Sequence, residues 1–456
     1  MSTTLVVLVL WWVVIEDPRR LSRRSLRGDE LLSQVVDLVE ERYIRELDDM
    51  EVAYDAIRGV VEGLDPYSQF YDPRERVEFE EETEGRFGGI GVLVRQEGTD
   101  LVVSYPMLGA PAERAGVRAC DKIVAIDGDI VPAIRTREVQ DEVISTLKGV
   151  PGTTVSLTVE GLDGEHRTVE IQRESIPRRS VLGAEVLDPE AGIGYLVIRG
   201  FQESTVEEFD AAVRELLRPP AIRSLIVDLR CNPGGVLTEA IDLADRFLAS
   251  GTITLTRGRS ERSSRDYAAT PENDLPDELA LVVLVNGDSA SASEVFAGAI
   301  QDHRRGVLVG EPSYGKGVVQ NVLYLNRQDV VLKVTSAAYF TPAGRCIEKR
   351  VPVPGIPPDE GGILPDVLVR DLVRSRGELE AHLYRARAGE DYALDVEPCP
   401  VPRPSDMAGP GEESPSDEDE AEAGFVDPQL DAALDLLKGV PVHERLASGA
   451  KAGESG

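Results

Sequence analysis

The sequence predicts an α/β multidomain protein, and three observations carry that reading. Residues 29–62 place apolar side chains at helical spacing, residues 85–174 hold short β-branched runs bounded by Gly, Asp and Pro, and residues 180–370 alternate strand-like with helix-like segments. With 456 residues there is room for roughly two or three domains. An apolar share of 42% suffices for a sizeable core.

The chain opens on an unbroken apolar run, Leu5 to Ile15, followed by Arg19, Arg20, Arg23, Arg24 and Arg27. A spanning helix needs about 20 apolar residues, so the run is closer to the core of a signal peptide. No basic residue precedes it and no small-residue cleavage site follows. The arginines favour a cytoplasmic side for the segment they occupy, and a truncated start would restore both length and charge. Residues 1–28 are therefore expected to be an anchor or signal-like segment, which points to the cell envelope, periplasmic or otherwise extracytoplasmic.

An N-terminal helical region is expected at 29–84, with Asp48 and Asp49 at a break between two helices and a turn at Gly63-Leu-Asp-Pro-Tyr-Ser68. From 85 to 174 the strands are expected at Ile90–Val94, Asp100–Tyr105, Lys122–Ile126, Thr154–Val159 and Thr168–Ile171, with helices at 111–115 and 137–147. The α/β core is expected at 175–398. Its buried strands are Ile193–Ile198, Ser224–Leu229, Leu281–Val285 and Gly306–Val309, its helices are 204–217, 236–249 and 292–302, and a strand-rich part follows at 318–340. The remainder, 399–456, is Pro-rich and carries an acidic block from Glu412 to Glu422, the composition of a disordered tail. A short amphipathic helix near Pro428–Leu437 is expected to dock back.

A net charge of −33 argues against nucleic acid as a partner, because phosphate binding needs clustered Lys and Arg. Cys120, Cys231, Cys346 and Cys399 have neither metal-ligand nor disulfide-framework spacing, so free, mostly buried thiols are expected, with no metal site and no cofactor.

Three clusters carry chemistry. In Leu284 to Ile300 a buried strand runs through a Ser/Ala/Gly turn into a helix, so a serine there would sit among unpaired N–H groups at the positive end of the helix dipole. A plain helix cap is the alternative. In Gly310 to Gln320 a glycine-flanked Lys316 adjoins an apolar strand. Desolvation lowers a buried lysine's pKa, and the neutral amine is then able to deprotonate a serine. Gln320, on the same side of an extended segment, could orient that amine. An anion-binding lysine is the alternative, although GEPSYGKG lacks the hydroxyl of a phosphate loop. In Val227 to Gly235 two glycines could aim a backbone N–H outward as half of an oxyanion hole, or form an ordinary turn.

Taken in order, LDPYS (64–68), FGGIGV (87–92), APAERAG (110–116), DKIVAIDG (121–128), DLRCNPGG (228–235), SASASE (289–294), YGKGVVQ (314–320) and AAYFTPAGRCI (337–347) resemble the carboxyl-terminal processing, or tail-specific, serine peptidases over about residues 29–370. The resemblance implies Ser291 as nucleophile, Lys316 as general base, Gln320 completing the site, and Gly235 with Ala292 as oxyanion-hole donors. It gives Asp302 a supporting part, whereas Glu294 reads as a helix-terminus residue. It also implies a ClpP/crotonase-type core for 175–398 and a PDZ domain for 85–174. There Gly89, Ile90, Gly91 and Val92 would bind a peptide carboxylate while the ligand adds a strand along 90–94. Val139, Val143 and Leu147 suggest an apolar last residue in the substrate. Proteins or peptides with apolar C-termini are the implied partners, and a homodimer and an activating or adaptor protein are left open. The competing readings are an inactive PDZ adaptor on a protease scaffold and an acyl-CoA enzyme of the crotonase type. The first is weakened by the presence of Ser291, Lys316 and Gln320 together, and the second has no need of a PDZ module.

Overall fold

The computed structural model describes residues 27–271, 275–325, 329–353, 355–356, 361–370, 379, 383 and 427–440. The apolar run Leu5–Ile15, the acidic block Glu412–Glu422 and Cys399 lie outside the described residues. The chain divides into two compact units, Met1–Leu64 and Asp65–Gly456.

The first unit holds two helices, α1 (Gly28–Arg42) and α2 (Asp49–Glu62). The expected break falls between them: Asp48 is the N-cap of α2, its carboxylate accepting the N–H groups of Met50 and Glu51.

The second unit begins with β1 (Gln69–Tyr71) and α3 (Pro73–Glu84), which ends on Gly85 at φ 68. A mostly β module follows, with β2 (Arg86–Gly89), β3 (Val92–Glu97), β4 (Asp100–Pro106), α4 (Pro111–Arg114), β5 (Lys122–Ile126), β6 (Asp129–Ile130), α5 (Arg137–Leu147), β7 (Thr154–Glu160), β8 (His166–Gln172) and β9 (Glu174–Pro177). Its main sheet runs β3-β4-β5-β7-β8, with β6 on β5, while β2 pairs with β9 and so brings the two ends of the module together. Leu101, Val103, Ile123, Leu157, Val159 and Ile171 fill its core. The strand expected from Ile90 starts at Val92 instead. Gly91 takes φ 72, outside the range of a regular strand, and Ile90 turns its side chain into the core.

The core comprises β10 (Val181–Asp188), β11 (Ile193–Ile198), α6 (Thr205–Leu216), β12 (Ser224–Asp228), α7 (Leu237–Asp245), β13 (Thr252–Gly258), β14 (Arg265–Ala268), β15 (Ala280–Val285), α8 (Ala292–Asp302), β16 (Val307–Gly310), β17 (Val318–Leu325), β18 (Val330–Phe340), β19 (Val367–Leu368) and α9 (Pro428–Leu437). One sheet runs β10-β11-β12-β15-β16-β19, parallel from β11 onward, with β10 antiparallel at its edge. A parallel sheet is buried on both faces, and the pleat sorts the side chains accordingly. Leu225, Val227, Leu281, Val283 and Val285 face one apolar cluster with Phe209, Phe247 and Phe296 of the helical layer. Ile226, Val282 and Leu284 face the other, which α9 covers with Ala432 and Ala433. A second sheet runs β1-β18-β13-β14 with β17 on β18.

Cys231 and Cys346 are buried thiols outside any disulfide, as expected. Cys120 departs from that expectation, being disulfide-bonded.

Candidate active site

β12, β15 and β16 are neighbours in the parallel sheet, so the loops that leave their carboxyl ends lie side by side. Those loops are the three clusters singled out in the sequence. Strand order, not sequence distance, brings 229–236, 286–291 and 311–317 together.

The first two loops are stitched by short hydrogen bonds. Ala290 N–H donates to Asn232 O at 3.0 Å, and Cys231 N–H to Asn286 Oδ1 at 3.0 Å. Two of the three motif serines are spent in the same way: Ser289 Oγ donates to Leu229 O at 2.8 Å and Ser293 Oγ to Asn232 O at 3.1 Å. Ser291 differs. It is the N-cap of α8 with φ 56 and ψ −113, a conformation costly for a non-glycine residue, and its Oγ donates to no acceptor among the described residues.

Gly234 lies against this turn. A Cβ on it would stand 2.8 Å from Ser291 Cβ and 3.0 Å from Ala292 N, so only glycine at φ 97 fits. The Gly234 N–H is held by Asn232 Oδ1 at 2.8 Å. In contrast, the N–H groups of Gly235 and Ala292 meet no acceptor among the described residues.

The third loop is fastened to the second by Glu294, which is fully buried. One of its carboxylate oxygens accepts Ser291 N–H at 2.8 Å and Lys316 N–H at 2.8 Å. The other accepts Gly315 N–H at 2.7 Å and Ser313 Oγ–H at 2.5 Å. Burial pushes the Glu294 carboxyl up from its ordinary value, and the four donors pull against that shift. Helix-terminus residue is therefore too modest a description: one carboxylate fixes the backbones of both Ser291 and Lys316. A second buried carboxylate, Glu348, accepts Gly317 N–H at 2.8 Å. The glycine is required there, because a Cβ on Gly317 would come within 2.2 Å of Glu348 N.

Lys316 is half-buried. Desolvation lowers its pKa from the ordinary 10.5, opposed by the charges of Glu348 and Glu294. Its Nζ lies over the Tyr67 ring, 4.9 Å from the centroid, and makes no hydrogen bond among the described residues, to Ser291 Oγ included. Tyr67 belongs to the LDPYS turn. Asp65 holds that turn through the N–H groups of Tyr67 and Ser68 and accepts Thr335 Oγ1–H of β18 at 3.1 Å.

Gln320 does not meet the lysine amine. A register shift between Val319 and Gln320 interrupts the β17–β18 ladder, and Gln320 Nε2 donates to Val318 O at 3.3 Å and Thr335 Oγ1 at 3.5 Å. Asp302 occupies the last turn of α8, about 16 Å along the axis from Ser291 at 1.5 Å per residue. There it accepts Ala343 N–H and pairs with Arg345, so it supports the 341–345 turn rather than the serine.

In the β module, Gly89 ends β2, and Ile90 and Gly91 bridge to β3. Neither the Ile90 nor the Gly91 N–H has an acceptor among the described residues, and β3 is the outer strand of its sheet. Val143 and Leu147 are buried in the module's own core, while Val139 packs against it and stays partly exposed.

Tyr67, Glu348 and the clamping part of Glu294 went unread in the sequence. The only local signal was the LDPYS turn, which fixes a conformation but names no partner.

Residues 192–367 match peptidase family S41. A carboxy-terminal-processing protease of Bartonella bacilliformis is 34% identical over 364 residues, covering 76% of this chain and 79% of that protein. A probable CtpA-like serine protease of Staphylococcus aureus is 31% identical over 361 residues, covering 78% and 69%. Among solved structures, a photosystem II D1 C-terminal processing protease aligns at 28% identity with a TM-score of 0.40, covering 77% of this chain and 95% of that one. The chain belongs to peptidase family S41, as a serine-type peptidase of the carboxy-terminal-processing group.

Proposed function

We propose that the protein cleaves polypeptides near their carboxyl termini by a Ser-Lys mechanism, with Ser291 as nucleophile and Lys316 as general base. One observation carries the assignment. Of the three motif serines, only Ser291 has a hydroxyl that donates to no acceptor among the described residues, and it stands at a helix N-terminus beside two N–H groups that likewise meet none there.

In this mechanism the Lys316 side chain leaves the Tyr67 face and, neutral, takes the Ser291 proton as Oγ adds to the scissile carbonyl carbon. The carbonyl π pair moves onto oxygen, where Gly235 and Ala292 N–H stabilise it. Collapse expels the amine, which takes the proton from Lys316 and leaves an acyl-Ser291. Water then gives a proton to Lys316 as it attacks the acyl carbon, and Ser291 recovers that proton as the new carboxylic acid departs. Gln320 would support the amine only after exchanging its bonds to Val318 and Thr335.

The β module is read as a PDZ domain within a crotonase-like protease. Unpaired N–H groups at Ile90 and Gly91, beside Gly89 and Val92, suit a terminal carboxylate, and the open edge of β3 suits an added strand. The preference for apolar tails rests on Val139 and on the exposed Leu93 of β3. A location in the cell envelope rests on the Leu5–Ile15 run alone, and no helix among the described residues is long and apolar enough to cross a membrane.

The test is cleavage of an unfolded reporter with an apolar C-terminal tail by wild type and Ser291→Ala in parallel. Only wild type should cut, and amidating the reporter's carboxylate should slow it. Equal cutting by Ser291→Ala would refute the assignment.

A further inference from the structure

We infer that the carboxyl-terminal helix α9 is a working part of the peptidase site, and that Asp427 is a positioning residue acting through Arg230 on the loop that carries Gly235. The inference rests on the proposed role of Gly235 as an oxyanion donor.

Arg230 stands in the first turn of that loop and is among the largest side chains to be wholly buried, with 1% exposure. A guanidinium so placed needs carboxylates around it. Asp228, the last residue of β12, supplies one, accepting from Nε at 3.0 Å, from Nη2 at 2.6 Å and from the Arg230 N–H at 2.9 Å. The other comes from far along the chain. Asp427 Oδ1 accepts from Nη1 at 2.8 Å and Oδ2 from Nη2 at 2.7 Å, a two-pronged pair. Gln429 Oε1 accepts from Nη1 at 3.2 Å, while its Nε2 donates to Val369 O at 2.9 Å.

Asp427 is itself fixed, since it is the N-cap of α9 and accepts Leu430 N–H at 3.0 Å. The helix in turn is seated by Ala432 and Ala433 on Ile226, Val282 and Leu284, the undersides of the strands that lead into the site. Asp427 is therefore a fixed post.

What it holds is the start of the Gly235 loop. Directly after Arg230, Cys231 takes a left-handed φ of 60 and Asn232 binds the Ser291 turn. Asn232 Oδ1 then fixes Gly234, which adjoins Gly235, whose N–H meets no acceptor among the described residues. If Asp427 is lost, the buried guanidinium keeps Asp228 but loses the two-pronged pair with Asp427, and the loop is pulled or released near its start. The chemical groups remain present while the oxyanion donor moves.

The test uses the full chain with Asp427→Asn, which keeps size and removes charge. Expected are a fall in kcat of about tenfold or more, a KM within about twofold, and unchanged affinity for an apolar-ended peptide. A peptide aldehyde gives a direct reading. Ser291 Oγ adds to its carbonyl carbon, the hydroxyl proton passes to Lys316 and the π pair moves onto oxygen, so its affinity should fall in proportion to kcat/KM. Asp427→Glu, which keeps the charge one methylene further out, should recover part of the loss. A melting temperature lowered by Asp427→Asn with kcat and aldehyde affinity intact would overturn the inference, leaving only a structural ion pair. If Asp427→Asn does not fold, Asp427→Glu and Arg230→Lys carry the same test, and wild-type kcat in both would overturn it. Ser291→Ala is run alongside. If it retained activity, the proposed nucleophile would be at fault rather than the Asp427 connection.

Discussion

Replacing Glu294 by Gln is the sharpest perturbation of this site, because it changes one atom and touches both proposed catalytic loops. The carboxylate accepts four hydrogen bonds, two on each oxygen, and three of the donors are backbone N–H groups of Ser291, Gly315 and Lys316. An amide has one oxygen, so its NH₂ must face one of these pairs. Towards Ser313 and Gly315 the cost is smaller, since the Ser313 hydroxyl is able to rotate, and a single N–H at Gly315 is stranded. A stranded buried donor costs about 1–3 kcal/mol, and each charge-assisted bond weakened to a neutral one loses about 1 kcal/mol. Relief from burying the charge offsets part of this, as the upward shift of the Glu294 carboxyl implies. A net destabilisation of about 2–4 kcal/mol follows. Because the same carboxylate spaces Ser291 from Lys316, kcat should also fall on the order of 10²-fold, the effect of displacement by about 1 Å. Urea unfolding followed by circular dichroism reads the first effect and steady-state cleavage of a tailed peptide the second. A change below about 0.5 kcal/mol together with an unchanged kcat would refute the clamp.

Lys316→Ala should lower kcat/KM on the order of 10³-fold or more, as loss of a catalytic base does. In the proposed mechanism the neutral amine is the active form, so kcat/KM should rise with pH through a midpoint below 10.5 and then level off, the direction that desolvation imposes; a flat profile would remove the lysine from the role. Gly234→Ala should destabilise the fold and lower kcat at least about tenfold, because the new methyl would stand 2.6 Å from Ala290 O and 2.8 Å from Ser291 Cβ, and wild-type melting and kcat would contradict that packing. Lys333, which donates to Gln69 Oε1 and the Tyr71 hydroxyl, has its pKa lowered to about 8, first by burial and then by the charge of Lys316. A base with a depressed folded pKa binds its proton more weakly in the folded state, so wild type should gain stability over Lys333→Met as pH rises from 8 towards 10.5. Urea midpoints across that window test the sign, and a constant difference would refute it.

Much of this architecture follows from local pattern. The runs at 193–198, 224–229 and 281–285 announce buried parallel strands because both pleat faces must be apolar, and the helix after Ser291 begins where its small residues permit. Local pattern fails where a residue's role depends on a partner distant in sequence. Glu294 reads as a helix start until the loop carrying Gly315 and Lys316 arrives beside it. The pairing of Arg230 with Asp427 spans 197 residues, and neither DLRCNPGG nor the capped start of α9 names the other. Gln320 fails for a different reason: alternation along an extended segment sets its side, but the register shift beside it changes where the side chain goes. Ile90 fails similarly, since one glycine with positive φ moves the strand start to Val92.

The satisfied and unsatisfied donors divide the site in two. Glu294, Glu348, Asp228 and Asn232 accept from backbone or side-chain donors of the three loops, which commits those groups to holding the framework. Among the described residues, four donors of the same small region meet no acceptor, namely the hydroxyl of buried Ser291, the amine of half-buried Lys316, and the N–H groups of buried Ala292 and exposed Gly235. For a donor in a buried residue, as the Ala292 N–H is, the lack of an acceptor costs about 1–3 kcal/mol, and folded proteins rarely keep such groups. Ser289 and Ser293 show how readily a hydroxyl in this turn finds a carbonyl. Ser291 is kept from doing so by a φ of 56, itself a further cost. Backbone strain and free donors therefore converge on one position, and a tetrahedral oxyanion bonded to Ser291 Oγ is the species that would use them together.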